Sequence, residues 1–438
     1  MNLKINPIKT NLNGEIEAPA SKSYSHRAFI AASLADGISI IKNPLIKGDV
    51  GITVDLLRAL GVKILKRDDN SYIVKRSKGA YRKLKKPFDC GNSGTTIRIF
   101  SALSLLVEGG LTFKGEFLRL NRPILPLLNA LENLGASYKI SGNKLKISRK
   151  EVLCNKIKIQ GNKSSQFITA LLLLCPILSC TNKNFFEIIV TPPIVSKPFI
   201  EITLEVLEYF GINIRANFQT STFYITKEQN YRSQSFEIPG DFSSASNIIA
   251  ATVLSKKPSK VIINNLNFRT KQGDKKIIEI LKKMGADIQI DLEKNQIIVN
   301  GDLQNHPLKG IEIDCIEIPD LFPLLTVIGA FADGKTIIQN ISTFKLKETD
   351  RVSAIITELS KMGVKFVEED NKITIFKCDN LKGTTIHHNN DHRIAMACTI
   401  ACLYAETSSY IEDSQIVNDS YPSFFKNLKD LGVEIEEL

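Results

Sequence analysis

Six times along the chain a leucine is followed by two mostly polar residues, a large apolar residue and a glycine. The copies occupy residues 57–61, 131–135, 207–211, 281–285, 359–363 and 428–432, and their glycines lie 74, 76, 74, 78 and 69 residues apart. Each is followed by a stretch of β character, such as Val62-Lys63-Ile64 or Ala286-Asp287-Ile288-Gln289-Ile290. The pattern predicts an amphipathic helix that stops, a glycine in the left-handed position past its last turn, and a strand that begins. One copy would carry little weight; six at near-constant spacing mark an internal repeat.

A second feature keeps the same rhythm. Six apolar runs each begin at a cluster of small polar residues: Ser21-Lys22-Ser23, Asn92-Ser93-Gly94-Thr95, Lys163-Ser164-Ser165-Gln166, Asp241-Phe242-Ser243-Ser244, Pro319-Asp320 and Asn390-Asp391-His392-Arg393. The runs that follow, such as Ala28-Phe29-Ile30-Ala31-Ala32, are apolar nearly all round and predict buried helices. Each repeat therefore reads as one buried helix, one amphipathic helix and several strands. Six units of about 70 residues suggest two groups of three around two cores, an α/β architecture.

Composition narrows the function. The chain has 438 residues, is 43% hydrophobic and carries a formal charge of +11, which points to anionic partners. The basic residues are dispersed. The densest cluster, Tyr81-Arg82-Lys83-Leu84-Lys85-Lys86, is short enough to be a solvated loop, and no nucleic-acid-binding motif is visible. No nucleic-acid partner is expected. The first residues lack the apolar core of a signal peptide. The most apolar run, 168–178, is interrupted by Pro176 and falls short of a membrane span. The expectation is a cytoplasmic protein with no membrane partner. Eight scattered cysteines form no CxxC pair, so reduced and mostly buried thiols are expected, with no zinc spacing.

The polar helix starts carry the candidate chemistry. Each can be a cap and nothing more. Helix N-termini also favour anions, and Lys22, Arg27, Arg98, Lys163 and Arg393 stand near these starts. Cations at buried helix ends are costly unless they meet anions. Residues 91–98, Gly91-Asn92-Ser93-Gly94-Thr95-Thr96-Ile97-Arg98, suit either a phosphate-cradling turn or a generic glycine-rich one; this is not a P-loop. In Lys347-Glu348-Thr349-Asp350-Arg351, Glu348 is a candidate proton carrier and Arg351 an anion clamp, although a helical ion pair fits as well. Asp320 suits an N-cap or a general base. His392 stands beside Asp391 and Arg393, but a lone histidine is commonly a structural hydrogen-bonder. His387 and His388 suggest a metal only weakly, since further ligands are missing. Neither a metal nor an organic cofactor is expected.

In their order and spacing these segments resemble the enolpyruvyl transferase family, on its shikimate branch, the EPSP synthases. The resemblance runs over nearly the whole chain: 21–27, 91–98, Asn121-Arg122-Pro123-Ile124, 164–167, Val195-Ser196-Lys197-Pro198, Gln272-Gly273-Asp274, 318–320, 347–351 and 390–393. It implies a two-domain inside-out α/β barrel built from six βαβαββ repeats, with buried helices and sheets outside. Domain one would comprise residues 1–19 and 240–438, domain two residues 20–239, with the active site in the cleft between them and closure excluding water. The sister branch, acting on UDP-N-acetylglucosamine, typically has Asn after the first Lys and a loop cysteine; here Ser23 follows Lys22.

The resemblance also implies roles. Shikimate 3-phosphate would be held by Lys22, Ser23, Arg27, Ser164, Ser165, Gln166, Ser196, Asp320, Thr343 and Lys347. Phosphoenolpyruvate would be held by Lys22, Asn92, Gly94, Arg122, Gln166, Arg351 and Arg393. Asp320 would take the proton of the 5-hydroxyl, Glu348 and Lys22 would manage the proton at the methylene carbon, and His392 joins them as a catalytic candidate. The product would be 5-enolpyruvylshikimate 3-phosphate, formed by a monomer through addition and elimination of phosphate. Glyphosate would compete with phosphoenolpyruvate, and Gly94 matches the glycine whose enlargement hinders that inhibitor. Three positions depart from the family: Phe199 stands for a usual Tyr, Thr343 for a usual amide, and Asp419 for a usual Lys, with Lys426 a candidate replacement cation. Two further readings are the UDP-sugar transferase and a catalytically impaired binding protein on the same scaffold. A related RNA-processing cyclase is disfavoured by the 347–351 and 390–393 segments.

Overall fold

The protein is described from a computed structural model covering residues 1–76, 81–149, 151–153, 156–179 and 185–438. Cys154 and Cys180 lie outside the described residues. The chain divides into two compact units, Met1–Pro19 with Pro239–Leu438, and Ala20–Ile238.

Each unit holds three four-stranded sheets of one recurring plan. In the Ala20–Ile238 unit, Phe185–Thr191 pairs parallel with Lys156–Gln160 and antiparallel with Thr222–Thr226, which pairs antiparallel with Arg215–Asn217. The other unit repeats this plan with Lys335–Gln339, parallel to Glu312–Asp314 and antiparallel to Lys372–Phe376. The strands alternate as their sequences do. In Lys156–Gln160 the two isoleucines are buried and Lys156, Lys158 and Gln160 are exposed. Much of the dispersed positive charge is therefore the solvent side of the sheets, which a period of two assigns to every other residue.

The six apolar runs become buried helices: Lys22–Leu34, Gly94–Leu103 and Ser165–Leu174 in one unit, and Phe242–Val253, Phe322–Gly329 and His392–Cys402 in the other. Ser165–Leu174 buries every residue except Gln166, and His392–Cys402 buries every residue. Each unit has its own apolar core around its three helices. Helices inside and sheets outside reverse the usual α/β layering because these helices have no polar face to give to water.

The beginning of the chain belongs with its end. Leu3–Ile5 lies antiparallel between Ser409–Ile411 and Ile435–Glu437, while Asn13–Glu17 pairs parallel with Ser259–Asn264. The first 19 residues thus complete two sheets of the unit formed by the last 200.

The repeat glycines do what the pattern predicts. Gly61, Gly135, Gly211, Gly285, Gly363 and Gly432 have φ of 96°, 90°, 82°, 109°, 101° and 97°. Past the glycine the chain closes back on the helix, as in Val62 N–H to Leu57 O at 3.0 Å and Val364 N–H to Leu359 O at 3.1 Å. These are Schellman closures, which require the left-handed residue.

The six glycines differ in surroundings. A Cβ on Gly135 would sit 1.7 Å from the Glu151 carbonyl oxygen, whereas on Gly432 the nearest atom is the Thr10 hydroxyl at 3.7 Å. Gly432→Ala is expected to cost only the left-handed penalty of roughly 1–2 kcal/mol. Gly135→Ala must also move backbone and should cost roughly twice that or more. Urea unfolding of the two variants ranks them; equal losses would contradict the packing difference.

Candidate active site

The helix starts of the Ala20–Ile238 unit carry two cationic clusters. In the first, Arg27 lies one turn into Lys22–Leu34 and is buried. Its guanidinium donates to Thr203 Oγ1 at 2.8 Å, the Ser23 carbonyl at 2.8 Å, the Phe199 carbonyl at 3.1 Å and Thr169 Oγ1 at 3.4 Å. These partners are all neutral, and burial pushes the Arg27 pKa down to about 10. A buried guanidinium whose hydrogen bonds go to neutral oxygens favours an added anion. Its bonds tie together the helices that begin at Ser165 and Lys197, so Ser165 and Ser196 stand at the mouths of the helices Arg27 touches. Ser164 caps Ser165–Leu174, accepting from Gln166 N–H at 3.3 Å. Ser196 is buried with φ of 55°, in the left-handed region at the start of Lys197–Tyr209. Lys22 is half-buried, with Nζ 3.6 Å from Asp49 Oδ2.

The second cluster surrounds Gly94. Ser93 caps Gly94–Leu103 through Thr96 N–H. Arg98 donates twice to the Pro123 carbonyl, at 3.0 and 2.8 Å, and to Gln166 Oε1 at 2.7 Å. Arg122 donates to the Asn92 carbonyl at 2.6 Å and to Asn92 Oδ1 at 2.8 Å. Both guanidinium groups lie over the Phe117 ring, 4.9 and 5.1 Å from its centre. A Cβ on Gly94 would stand 3.0 Å from Arg98 Nη1 and 3.2 Å from Arg122 Nη2. The glycine is there because two arginines close over it.

The other unit has a different charge pattern. Arg351, 1% exposed, receives three carboxylates: Asp391 at Nε (2.7 Å), Asp320 at Nη1 (2.8 Å) and Glu348 at Nη2 (2.7 Å). Burial works against its charge, but the Asp391, Glu348 and Asp320 carboxylates outweigh it and hold its pKa well above the ordinary arginine value. Asp391 serves twice, since its other oxygen caps His392–Cys402 through Arg393 N–H at 2.8 Å. Arg393 Nη2 lies 3.4 Å from Asp320 Oδ2, and its Nε and Nη1 are buried without a hydrogen-bond partner among the described residues. His392 is buried at the first residue of the same helix. Lys347 and Glu348 precede the helix Arg351–Lys361, whose cap is Asp350. Thr343 is half-buried in the 3₁₀ turn Ser342–Leu346.

A full-length relationship accompanies this geometry. The family described as EPSP synthase (3-phosphoshikimate 1-carboxyvinyltransferase) matches residues 7–428. The chain belongs to the EPSP synthase family. Curated relatives named 3-phosphoshikimate 1-carboxyvinyltransferase include that of Methanocaldococcus jannaschii, 42% identical over 97% of each chain. That of Methanosarcina acetivorans is 37% identical over 100% of this chain and 99% of its own. Among solved structures, EPSP synthase from Acinetobacter baumannii aligns over 100% of both chains with a TM-score of 0.79 at 21% identity, which shows the fold. The enolpyruvyl transferase NikO from Streptomyces tendae gives 0.78 at 16% identity over 99% of this chain and 98% of its own. The two-domain inside-out α/β barrel of the EPSP synthases is thus the fold of this chain.

Some sequence expectations need correction. Asp320 is not an N-cap: Phe322–Gly329 starts after Leu321, without a side-chain cap, and the Asp320 carboxylate goes to Arg351 and Arg393 instead. Ser21 likewise precedes its helix without capping it. Lys163 is exposed and bears no burial cost. Lys426 does not replace the missing family cation near Asp419; it is exposed and pairs with Asp430 at 2.6 Å on its own helix, Phe424–Asp430. Sequence reasoning gave no role to Asp391, Asp49, Thr169 or Thr203, which hold the cations. Asp391 lies within a segment singled out for chemistry, but the others carry no local signal.

The two kinds of arginine predict opposite mutational signatures. Arg351→Lys keeps the charge but cannot meet three carboxylates, so unfolding free energy should fall by roughly 3 kcal/mol and activity by 100-fold or more. Arg27→Met removes a buried cation that lacks a carboxylate, so stability should stay within about 1 kcal/mol while affinity for a phosphorylated substrate falls at least tenfold. Denaturant unfolding and direct binding measure both; a large stability loss for Arg27→Met would remove it from the anion-site reading.

Proposed function

We propose that this chain transfers the enolpyruvyl group of phosphoenolpyruvate to the 5-hydroxyl of shikimate 3-phosphate. The observation that carries the reading is its end-to-end similarity, at 37–42% identity, to curated enzymes of that name.

In this reading Arg27, Ser23, Ser164, Ser165, Ser196, Thr343 and Lys347 bind shikimate 3-phosphate. Arg122, Asn92, Gly94, Gln166, Arg351 and Arg393 bind phosphoenolpyruvate, and Lys22 serves both. Asp320 accepts the 5-hydroxyl proton as the oxygen bonds to C2 of phosphoenolpyruvate. The C2–C3 double bond opens and C3 takes a proton, a transfer managed by Glu348 and Lys22. The resulting tetrahedral intermediate then collapses. The C2–O bond to phosphate breaks, C3 returns the proton, and the enol ether forms. Such chemistry needs positioning and charge stabilisation more than a cofactor. Arg351 supports it by fixing Asp320 and Glu348 on adjacent nitrogens of one planar group. His392, buried at the start of His392–Cys402, is a further catalytic candidate. We further propose that the enzyme works as a cytoplasmic monomer.

Phosphate release by the purified protein should require both substrates, and omission of either should abolish it. Asp320→Asn should lower kcat roughly 100- to 10,000-fold as a lost general base. Absence of release with shikimate 3-phosphate, together with release from a UDP-sugar acceptor, would transfer the chain to the sister reaction. Absence with both acceptors would favour the impaired scaffold and make Asp419→Lys the next protein to assay.

A further inference from the structure

The segment Gln272-Gly273-Asp274 matches the family pattern but has no role in the reaction as written above. Asp274 is 3% exposed, in the short 3₁₀ turn Gly273–Lys275. Its Oδ2 accepts a hydrogen bond from the Ser243 hydroxyl, on the first turn of Phe242–Val253. Its Oδ1 is buried with no hydrogen-bond partner among the described residues. The adjacent Lys275 is turned away, donating to the Phe268 and Thr270 carbonyls at 2.9 and 2.8 Å.

Asp274 lies within the electrostatic reach of four groups from the elements around it. Asp320, Arg393 and Asp241 all act on its carboxyl, and its own charge raises the pKa of the Cys315 thiol. Asp320 and Asp274 therefore compete to be the anion. Two carboxylates sharing one buried site do not both ionise readily. Their partners decide between them. Asp320 is held by Arg351 at 2.8 Å and Arg393 at 3.4 Å, whereas Asp274 has one neutral hydroxyl and one orphaned oxygen. An orphaned oxygen is far less costly on a neutral acid than on a buried carboxylate. Burial first, and the Asp320 charge second, push the Asp274 pKa up to about 7.

We propose that Asp274 is a positioning residue that keeps its proton beside the Asp320 carboxylate held by Arg351 and so leaves the Nε and Nη1 of Arg393 for an anionic substrate. This rests on the transferase reading only for the identity of that anion, phosphoenolpyruvate. When Asp274 ionises, Arg393 gains a second competing carboxylate and the site gains a negative charge. Anion binding then weakens while the proton-transfer groups stay in place.

The test compares the full-length protein with Asp274→Asn, which mimics the protonated acid at all pH values. The ratio of the wild-type to the variant KM for phosphoenolpyruvate should rise roughly tenfold between about pH 6 and 8.5, while the corresponding kcat ratio stays flat. Ser243→Ala removes a hydrogen bond that lowers the Asp274 pKa, so the rise should move to higher pH. Thermal unfolding gives a readout independent of activity. The folded-state pKa is raised above its unfolded value near 4. Any stability linked to this proton is complete below the unfolded value and lost as pH rises through about 7. Wild type should therefore lose Tm relative to Asp274→Asn between about pH 4 and 7. If the KM ratio or the Tm difference is flat with pH, the proposal is wrong. If Asp274→Asn does not fold, an unshifted profile in Ser243→Ala overturns it instead. If wild type releases no phosphate at any pH, the transferase reading falls, and the Tm profile alone then decides whether Asp274 holds its proton.

Discussion

A guanidinium removed from water and met by three carboxylates organises the buried charges of the unit that contains both chain ends. Arg351 draws Asp320 from 31 residues before it and Asp391 from 40 after it, and it takes Glu348 from its own helix start. Breaking such a cluster strands several buried charges at once, so each partner depends on the others being present. Asp391 extends the dependence further, because the same carboxylate caps a helix that is buried along its whole length. Secondary structure and site chemistry thus share one side chain.

The Ala20–Ile238 unit solves the opposite problem. Its buried arginines are fitted to carbonyls, hydroxyls, an amide and an aromatic face rather than to a carboxylate triad. The contrast is electrostatic: neutral surroundings leave the Arg27 charge without a carboxylate, while three carboxylates are held in place by Arg351. Asp274 belongs to the unit of the carboxylates, and it differs from Asp320 in making no close ion pair among the described residues.

The inside-out layering explains why the candidate site residues gather at helix starts. Helices without a polar face can expose polar groups only at their ends, so every buried helix brings one set of N–H donors and capping side chains to the edge of the core. Ser93, Ser164, Asp241 and Asp391 satisfy those donors with their side chains. Where the sequence places small residues, as at Gly94, cations close over the turn.

Much of this architecture could be read from the sequence because it is local. The six glycine-ended helices, the alternating strands and the all-apolar helices each follow from neighbouring residues within one or two turns, and the structure realises all three. Partnerships across the repeats could not be read so. Asp320 looks like an N-cap in sequence, yet its carboxylate turns to two arginines because neutralising a buried guanidinium outweighs a cap worth about 1 kcal/mol. Lys426 looks like a replacement cation, yet it faces solvent because its helix gives it Asp430 one turn away. That the first 19 residues build sheets with the last 200 also has no local signal, since strand pairing is settled by which edges the folded unit leaves open. The sequence by itself determined the repeat, the layers and the residues with chemical potential. Only the tertiary structure decided which charges meet, because that depends on burial and distance between segments far apart in the chain.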